Sequence, residues 1–225
     1  MTTIDYASAR ETMVEQQVRP WDVLDVRVLE TLNALPREAF VPEACRALAY
    51  VDVALPLGHG EMMFKPVVEG RALQALALQP GDAVLEIGTG SGWFAACMGR
   101  MAQSVLSLEI HDDLAIAARA RLASQGLEGN VEVEIADAFH YAPTQQFDAI
   151  CVSGAVATIP DAFVQWLRPG SGRMFVVRGH APAMEAVLVR REGAGTGVND
   201  LRIESLFETD IPYLAGAAPA PRFDW

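Results

Sequence analysis

Val84-Leu85-Glu86-Ile87-Gly88-Thr89-Gly90-Ser91-Gly92-Trp93 is the stretch that decides the fold. A short apolar run ends in a glycine turn with one carboxylate, Glu86, before the first glycine, and an apolar segment fit for a helix follows. A strand that breaks into glycines before a helix lets a ligand approach the main chain closely. The next apolar run, Ser104 to Leu108, ends at Glu109, 21 residues after Gly88. An acid at that distance, at the tip of the second strand, is placed to accept hydrogen bonds from ribose hydroxyls. The two features together imply a nucleoside-containing cofactor, the plain alternative being a glycine-rich turn that binds nothing.

The spacing narrows the choice. The dinucleotide fingerprint is G-x-G-x-x-G, but Trp93 stands at its third glycine and Gly92 falls one residue early. The resulting G-x-G-x-G, with an acid two residues ahead, resembles the first motif of S-adenosylmethionine-dependent methyltransferases. Glu86 has a physical use there: a carboxylate is favourable beside a sulfonium and an ammonium, and unfavourable beside a pyrophosphate.

Composition bounds the rest. The chain has 225 residues, 51% of them hydrophobic, which suits a globular α/β domain with a sizeable core. No apolar run approaches a membrane span, and the amino terminus lacks a basic region followed by an apolar stretch. Cys45, Cys97 and Cys151 are scattered, without metal-ligand spacing, and read as buried free thiols of a reducing cytoplasm. The net charge of −12 argues against nucleic-acid binding, which needs a basic surface. No metal and no membrane partner are expected, and a monomer is the expected state.

Along the chain, residues 5–19 read as an amphipathic helix burying Met13, Val14 and Val18. Asp25 caps a second helix with Val28, Leu29, Leu32 and Leu35 inward. Glu43 to Leu48 is a short helix, Pro56 to Gly60 a loop, and Pro66 opens a helix to Leu78. Pro80-Gly81-Asp82 then turns into the first strand. Helix 91–102, strand 104–109 and helix 113–124 follow, the last with Leu114, Ala117, Ala118 and Leu122 inward. Further strands are expected at 131–136, 147–152, 173–177, 184–190 and 202–209, with a helix from Pro160 to Pro169-Gly170. This order predicts an α/β, doubly wound, Rossmann-like sheet, mostly parallel with an antiparallel edge strand, behind an N-terminal helical subdomain. The expected division of the single domain, 1–225, is a helical cap over 1–79, a cofactor-binding α/β core over 80–214 and an extended tail over 215–225, whose Phe223 and Trp225 are candidates to dock on the body.

Other segments carry a more specific resemblance. Met13-Val14 with Gln17 and Arg19, Arg37-Glu38-Ala39-Phe40-Val41-Pro42, Ala49-Tyr50-Val51-Asp52, Leu55-Pro56-Leu57-Gly58, Phe147-Asp148-Ala149-Ile150 and Gly154-Ala155 all match. Over nearly its whole length the chain resembles the protein-L-isoaspartate (D-aspartate) O-methyltransferases. The resemblance implies S-adenosyl-L-methionine as cofactor, an isoaspartyl carboxylate of a damaged peptide or protein as acceptor, and a role in protein repair. It implies that Gly88, Gly90 and Gly92 approach the methionine moiety, that Glu109 binds the ribose, and that Asp137 and Ala138 lie near the adenine. Glu86, Thr89, Ser91, Ile110, Met62 and Met63 are counted with the same site.

One segment departs from the pattern. The family usually carries Q-T-I-S-Q-P where this chain reads Glu61-Met62-Met63-Phe64-Lys65-Pro66, so Phe64 stands where a serine beside the methyl-transfer site belongs. A phenyl ring donates no hydrogen bond to an acceptor carboxylate. Lys65 is a candidate partner for that carboxylate, or a solvated lysine at a helix start. His59 is a candidate base for a hydroxyl or amine acceptor, or an exposed loop residue. Met62, Met63 and Phe64 form an adaptable apolar segment, fit for core packing or for an apolar pocket. Three activities stay open: isoaspartyl methylation, methyl transfer to another, small or apolar acceptor, and cofactor binding without transfer.

Overall fold

The computed structural model describes residues 4–195, 197 and 200–219. Asp5 caps α1 (Tyr6–Thr12) by accepting the Ser8 N–H at 3.1 Å. The helix continues as a π-helical stretch over Met13–Val18 and a 3-10 turn over Arg19–Trp21, so the expected helix is one helical path in three windings. Met13, Val14 and Val18 are buried along it. Asp25 caps α2 (Val26–Ala34) through the Arg27 N–H, and Val28, Leu29, Leu32 and Leu35 pack inward.

The segment expected as a loop is instead a hairpin, β1 (Leu55–Gly58) and β2 (Glu61–Met63), pairing Leu55 with Met63 and Pro56 with Met62. Its Pro and Gly residues hide the strand signal, yet a two-stranded ribbon tolerates proline because each strand has a free edge. Helix α3 (Pro66–Leu76) follows and ends on Ala77 at φ +46.

The core strands are β3 (Ala83–Ile87), β4 (Ser104–Glu109), β5 (Val131–Ile135), β6 (Ala149–Val156), β7 (Arg173–His180), β8 (Ala183–Arg191) and β9 (Leu201–Thr209). They form one sheet in the order β5-β4-β3-β6-β7-β8-β9. The pairs from β5 to β7 are parallel, and β8 runs against both neighbours. Side chains alternate across β3: Val84 joins the cluster under the N-terminal helices, whereas Leu85 and Ile87 join the opposite one. Arg173 ties the layers together, donating to the Leu76 and Ala77 carbonyls at the end of α3, to Asp82 and to Asp148 O. A cation there also complements the helix carboxyl terminus.

The remaining helices are α4 (Trp93–Met101), α5 (Asp112–Ser124) and α6 (Asp161–Gln165). Helix α4 begins later than expected because Gly92 sits at φ +83 and holds Ser91 in the turn. Helix α5 buries Ala115 rather than Ala117 beside Leu114, Ala118 and Leu122. Helix α6 is shorter than expected: the Phe147 N–H takes the Trp166 carbonyl, and Leu167 bridges Phe147. Strand β6 runs past its expected end because the chain after β9 pairs with it. The Ala155 N–H donates to Pro212 O at 2.8 Å, and the Leu214 N–H donates to Ala155 O at 2.9 Å. The tail expected to be extended begins with a turn, the Ala217 N–H donating to Leu214 O. Phe223 and Trp225 lie outside the described residues. Among the described residues no helix is long and apolar enough to cross a membrane.

Leu214 lies over Gly154, where an added Cβ would meet Leu214 Cδ2 at 2.7 Å and its main-chain N at 3.1 Å. A side chain can turn away, but the paired backbone cannot. We expect Gly154→Ala to lift the 211–217 segment, cost about 1–3 kcal/mol and lower the melting temperature. Limited proteolysis should then cut in that segment faster than in the parent chain. An unchanged melt and cleavage pattern would show that Leu214 is not seated on Gly154.

Candidate active site

Strand order reverses at β3, since β4 and β5 lie to one side and β6 to the other. Such a switch point opens a crevice beyond the carboxyl ends of the strands. The glycine turn fills its floor. Gly88 and Gly90 hold φ +95 and +53, and the Gly88 and Thr89 N–H groups both donate to Leu108 O. The turn is thus pinned to the second strand, and the main chain faces a cleft of about 780 Å³. A Cβ on Gly90 would meet Leu57 Cδ1 at 2.9 Å, so the hairpin closes down on the turn.

Five carboxylates line this cleft, Glu61, Glu69, Glu86, Glu109 and Asp137, and among the described residues no lysine or arginine does. Glu109 accepts the Gly90 N–H at 2.7 Å and the His111 N–H at 3.1 Å. Asp137 accepts the Phe139 N–H and His140 Nδ1, and the His140 bond holds its carboxyl below the usual range. Glu86 is fully buried. Ser107 Oγ donates to its Oε2, Thr89 Oγ1 lies 2.6 Å from Ser107 Oγ, and Ser153 Oγ lies 3.4 Å from Oε1. Burial pushes Glu86 up to about 8, only partly offset by the serine hydroxyls. A cation in the cleft would restore its charge.

Glu69 belongs to a second network. Its Oε2 accepts from Arg37 Nη1 and from Trp93 Nε1, the latter at 3.0 Å. Arg37, itself fully buried, donates its other terminal nitrogen to Phe64 O at 2.6 Å and lies over the Trp93 ring. Burial raises Glu69 to about 7, with Arg37 and the indole N–H pulling it back.

The structure brings Met62, Met63, Phe64, Glu86, Gly88, Thr89, Gly90, Ser91, Glu109, Ile110, Asp137 and Ala138 onto one cleft. Three other sequence candidates lie outside its lining. Gly92 faces α5, where a Cβ would meet Ala118 Cβ at 3.1 Å. Lys65 is exposed and precedes α3 without capping it. His59 sits in the hairpin turn, stacked on His111 with ring centroids 4.0 Å apart and bonded to Asp113. Glu69, Ser153 and Leu214 also line the cleft and were not legible in the sequence. Glu69 carried a weak signal, an acid on the apolar face of a helix. Leu214 carried none, because its place depends on a segment folding back from beyond β9.

A family model described as protein-L-isoaspartate(D-aspartate) O-methyltransferase matches residues 8–207. The chain belongs to this family. It is 42% identical over 190 residues to a protein-L-isoaspartate O-methyltransferase of Methylorubrum extorquens (strain PA1), covering 84% of this chain and 82% of that one. It is 37% identical over 226 residues to protein-L-isoaspartate O-methyltransferase 1 of Rhodopseudomonas palustris (strain HaA2), covering 97% and 90%. Among solved structures, a Plasmodium falciparum chain assigned to the same activity, in complex with S-adenosyl-L-homocysteine, superposes with a TM-score of 0.78. It is 18% identical, with 91% of this chain and 97% of that one covered, and at that identity the likeness shows the fold. The two chains therefore share the fold described above.

The raised Glu86 carries a stability consequence. The folded chain keeps a proton on Glu86 up to about pH 8, whereas the unfolded chain releases it near the ordinary carboxylate value of about 4.3. The stabilising contribution is full below that value and is lost as pH rises toward 8. We expect the ligand-free chain to lose more melting temperature between pH 6 and pH 9 than Glu86→Gln does. The difference should be a few °C, since about 1 kcal/mol moves a chain of this size by roughly 2–4 °C. Parallel curves for the two proteins would refute a protonated Glu86.

Proposed function

We propose that this chain transfers a methyl group from S-adenosyl-L-methionine to the free carboxylate of isoaspartyl residues in damaged proteins. One observation carries the reading: an acidic cleft, with no lysine or arginine among the described residues that line it, opens on the Gly88–Gly90 main chain in a member of this family. The donor set suits a sulfonium and an ammonium, and the bare glycines leave room for the rest of the molecule. When bound, the cofactor supplies a methyl carbon made electrophilic by its sulfonium.

The chain's own residues position and dehydrate. Glu86 faces the cationic end. Glu109 keeps lone pairs for the ribose hydroxyls while its two main-chain donors fix its orientation. Ile110, Asp137 and Ala138 flank the base. An acceptor carboxylate is already ionised at neutral pH, so no proton need be removed, and rate comes from alignment and exclusion of water. Met62, Met63 and Phe64 supply the exclusion. His59 and Lys65 take no part in this step. In this reading residues 80–214 hold the cofactor and residues 1–79 cover the acceptor side. We extend the reading to a reducing cytoplasm, in keeping with three cysteines that stay unbridged, and to a monomer.

A second reading, methyl transfer to a small or apolar acceptor, is favoured by one feature. The wall of Met62, Met63, Phe64, Phe94 and Leu57 is apolar, and among the described residues no lysine or arginine lines the cleft beside it.

The test incubates the purified chain with methyl-labelled S-adenosylmethionine and an isoaspartyl peptide, beside its aspartyl counterpart. We expect base-labile label on the isoaspartyl peptide alone. Label on neither, with tight calorimetric binding of the demethylated cofactor, would remove the carboxylate reading and leave the second one or a binding protein without transfer. Glu109→Ala should weaken cofactor-product binding about tenfold or more. Phe64→Ser should raise kcat/KM for the isoaspartyl peptide.

A further inference from the structure

Glu69 is a buried carboxylate that the methyl-transfer scheme does not use. It is 2% exposed, yet it lines the cleft. Both of its protein donors, Arg37 Nη1 and Trp93 Nε1, bind the same oxygen, Oε2. Among the described residues Oε1 accepts no hydrogen bond, and it is not one of the fully covered polar atoms without a partner. An ionised carboxylate has about four lone-pair sites, so Oε1 keeps capacity to accept a further bond. Arg37 also binds Phe64 O, which places Glu69 at the Phe64 end of the cleft. Glu109 and Asp137 mark the other end, on β4 and after β5.

We propose that Glu69 is a specificity-determining residue, whose Oε1 accepts the main-chain N–H of the isoaspartyl residue being methylated. The inference rests on the isoaspartyl reading above. Covalent structure supplies the fit: in an isoaspartyl residue the free carboxyl and the residue's own N–H sit on one Cα, so a donor always accompanies the nucleophile. Charge supplies the rest. A lone carboxylate would repel an incoming acceptor carboxylate, but Arg37 neutralises Glu69 from behind. The cleft then presents an acceptor atom within a neutral pair. The Phe64 side chain offers no hydrogen bond at this end, and Glu69, tied to the Phe64 carbonyl through Arg37, offers an acceptor there.

Glu69→Gln tests the idea with little change in shape. Arg37 and Trp93 both donate, so the amide oxygen must turn to them and the amide nitrogen must face the cleft. The acceptor atom becomes a donor. We would measure kcat and KM for an isoaspartyl peptide and for the same peptide methylated on the isoaspartyl nitrogen, with both proteins. Calorimetry would give Kd for S-adenosylhomocysteine. In the parent chain N-methylation should raise KM about tenfold, the worth of a hydrogen bond to a charged group. In the variant the two peptides should differ by less than about twofold, and Kd should stay within about twofold of the parent value. An equal N-methylation penalty in both proteins overturns the proposal, because the penalty is then steric. A raised Kd with an unchanged peptide KM also overturns it, because Glu69 then serves the cofactor. If Glu69→Gln fails to fold, with Arg37 left unpaired, the double variant R37Q/E69Q removes both charges and is read by the same criteria. A parent chain that labels no isoaspartyl peptide would instead defeat the underlying reading, and that outcome is seen before any variant is made.

Discussion

The bond from the Gly90 N–H to Glu109 is the contact on which the cleft depends. It joins the tip of β4 to the glycine turn after β3, and the Gly88 and Thr89 N–H groups reinforce it from Leu108 O. It adds a third tie to a turn whose glycines hold positive φ. With it, main chain and carboxylate form one rigid edge. Every other part of the site is placed relative to that edge: Glu86 one turn below, Asp137 one strand across, and Leu214 laid over the far side.

A second constraint joins the N-terminal helices to this edge. Arg37 is covered completely and must find partners inside the protein, since an unpaired buried guanidinium is costly. It takes Glu69, the Phe64 carbonyl and the Trp93 ring. Those contacts reach α3, the hairpin and the first residue of α4. The cap is thus fastened to the residue that follows the glycine turn, and the wall is held both by the Phe64 carbonyl and by the buried Met63 and Phe64 side chains. The Phe64 carbonyl accepts the Arg37 bond without its side chain, so a substitution at position 64 changes the lining and leaves the bond in place.

The mostly parallel sheet and its antiparallel edge were legible because hydrophobic runs, turn residues and alternating periods repeat from Val84 to Thr209. Glu86, Glu109 and Asp137 were legible because each follows an apolar run, and in a parallel sheet such positions gather on one edge. The hairpin at Leu55–Met63 was not, since proline and glycine within short strands read as a loop. His59 was a candidate by its place in the glycine loop, and Lys65 by standing next to Phe64. The turn geometry sends His59 toward Asp113, and the start of α3 sends Lys65 to solvent.

The sequence by itself determined the sheet, the glycine turn and the acids at the strand tips, because each rests on local periodicity and spacing. Only the tertiary structure decided which acids are buried, which share a cleft and which oxygen of Glu69 is left open. Those properties arise when segments distant along the chain, Arg37, Trp93, Ser153 and Leu214 among them, remove one another from water. Burial and pairing are joint properties of several segments, and no single stretch of residues carries them.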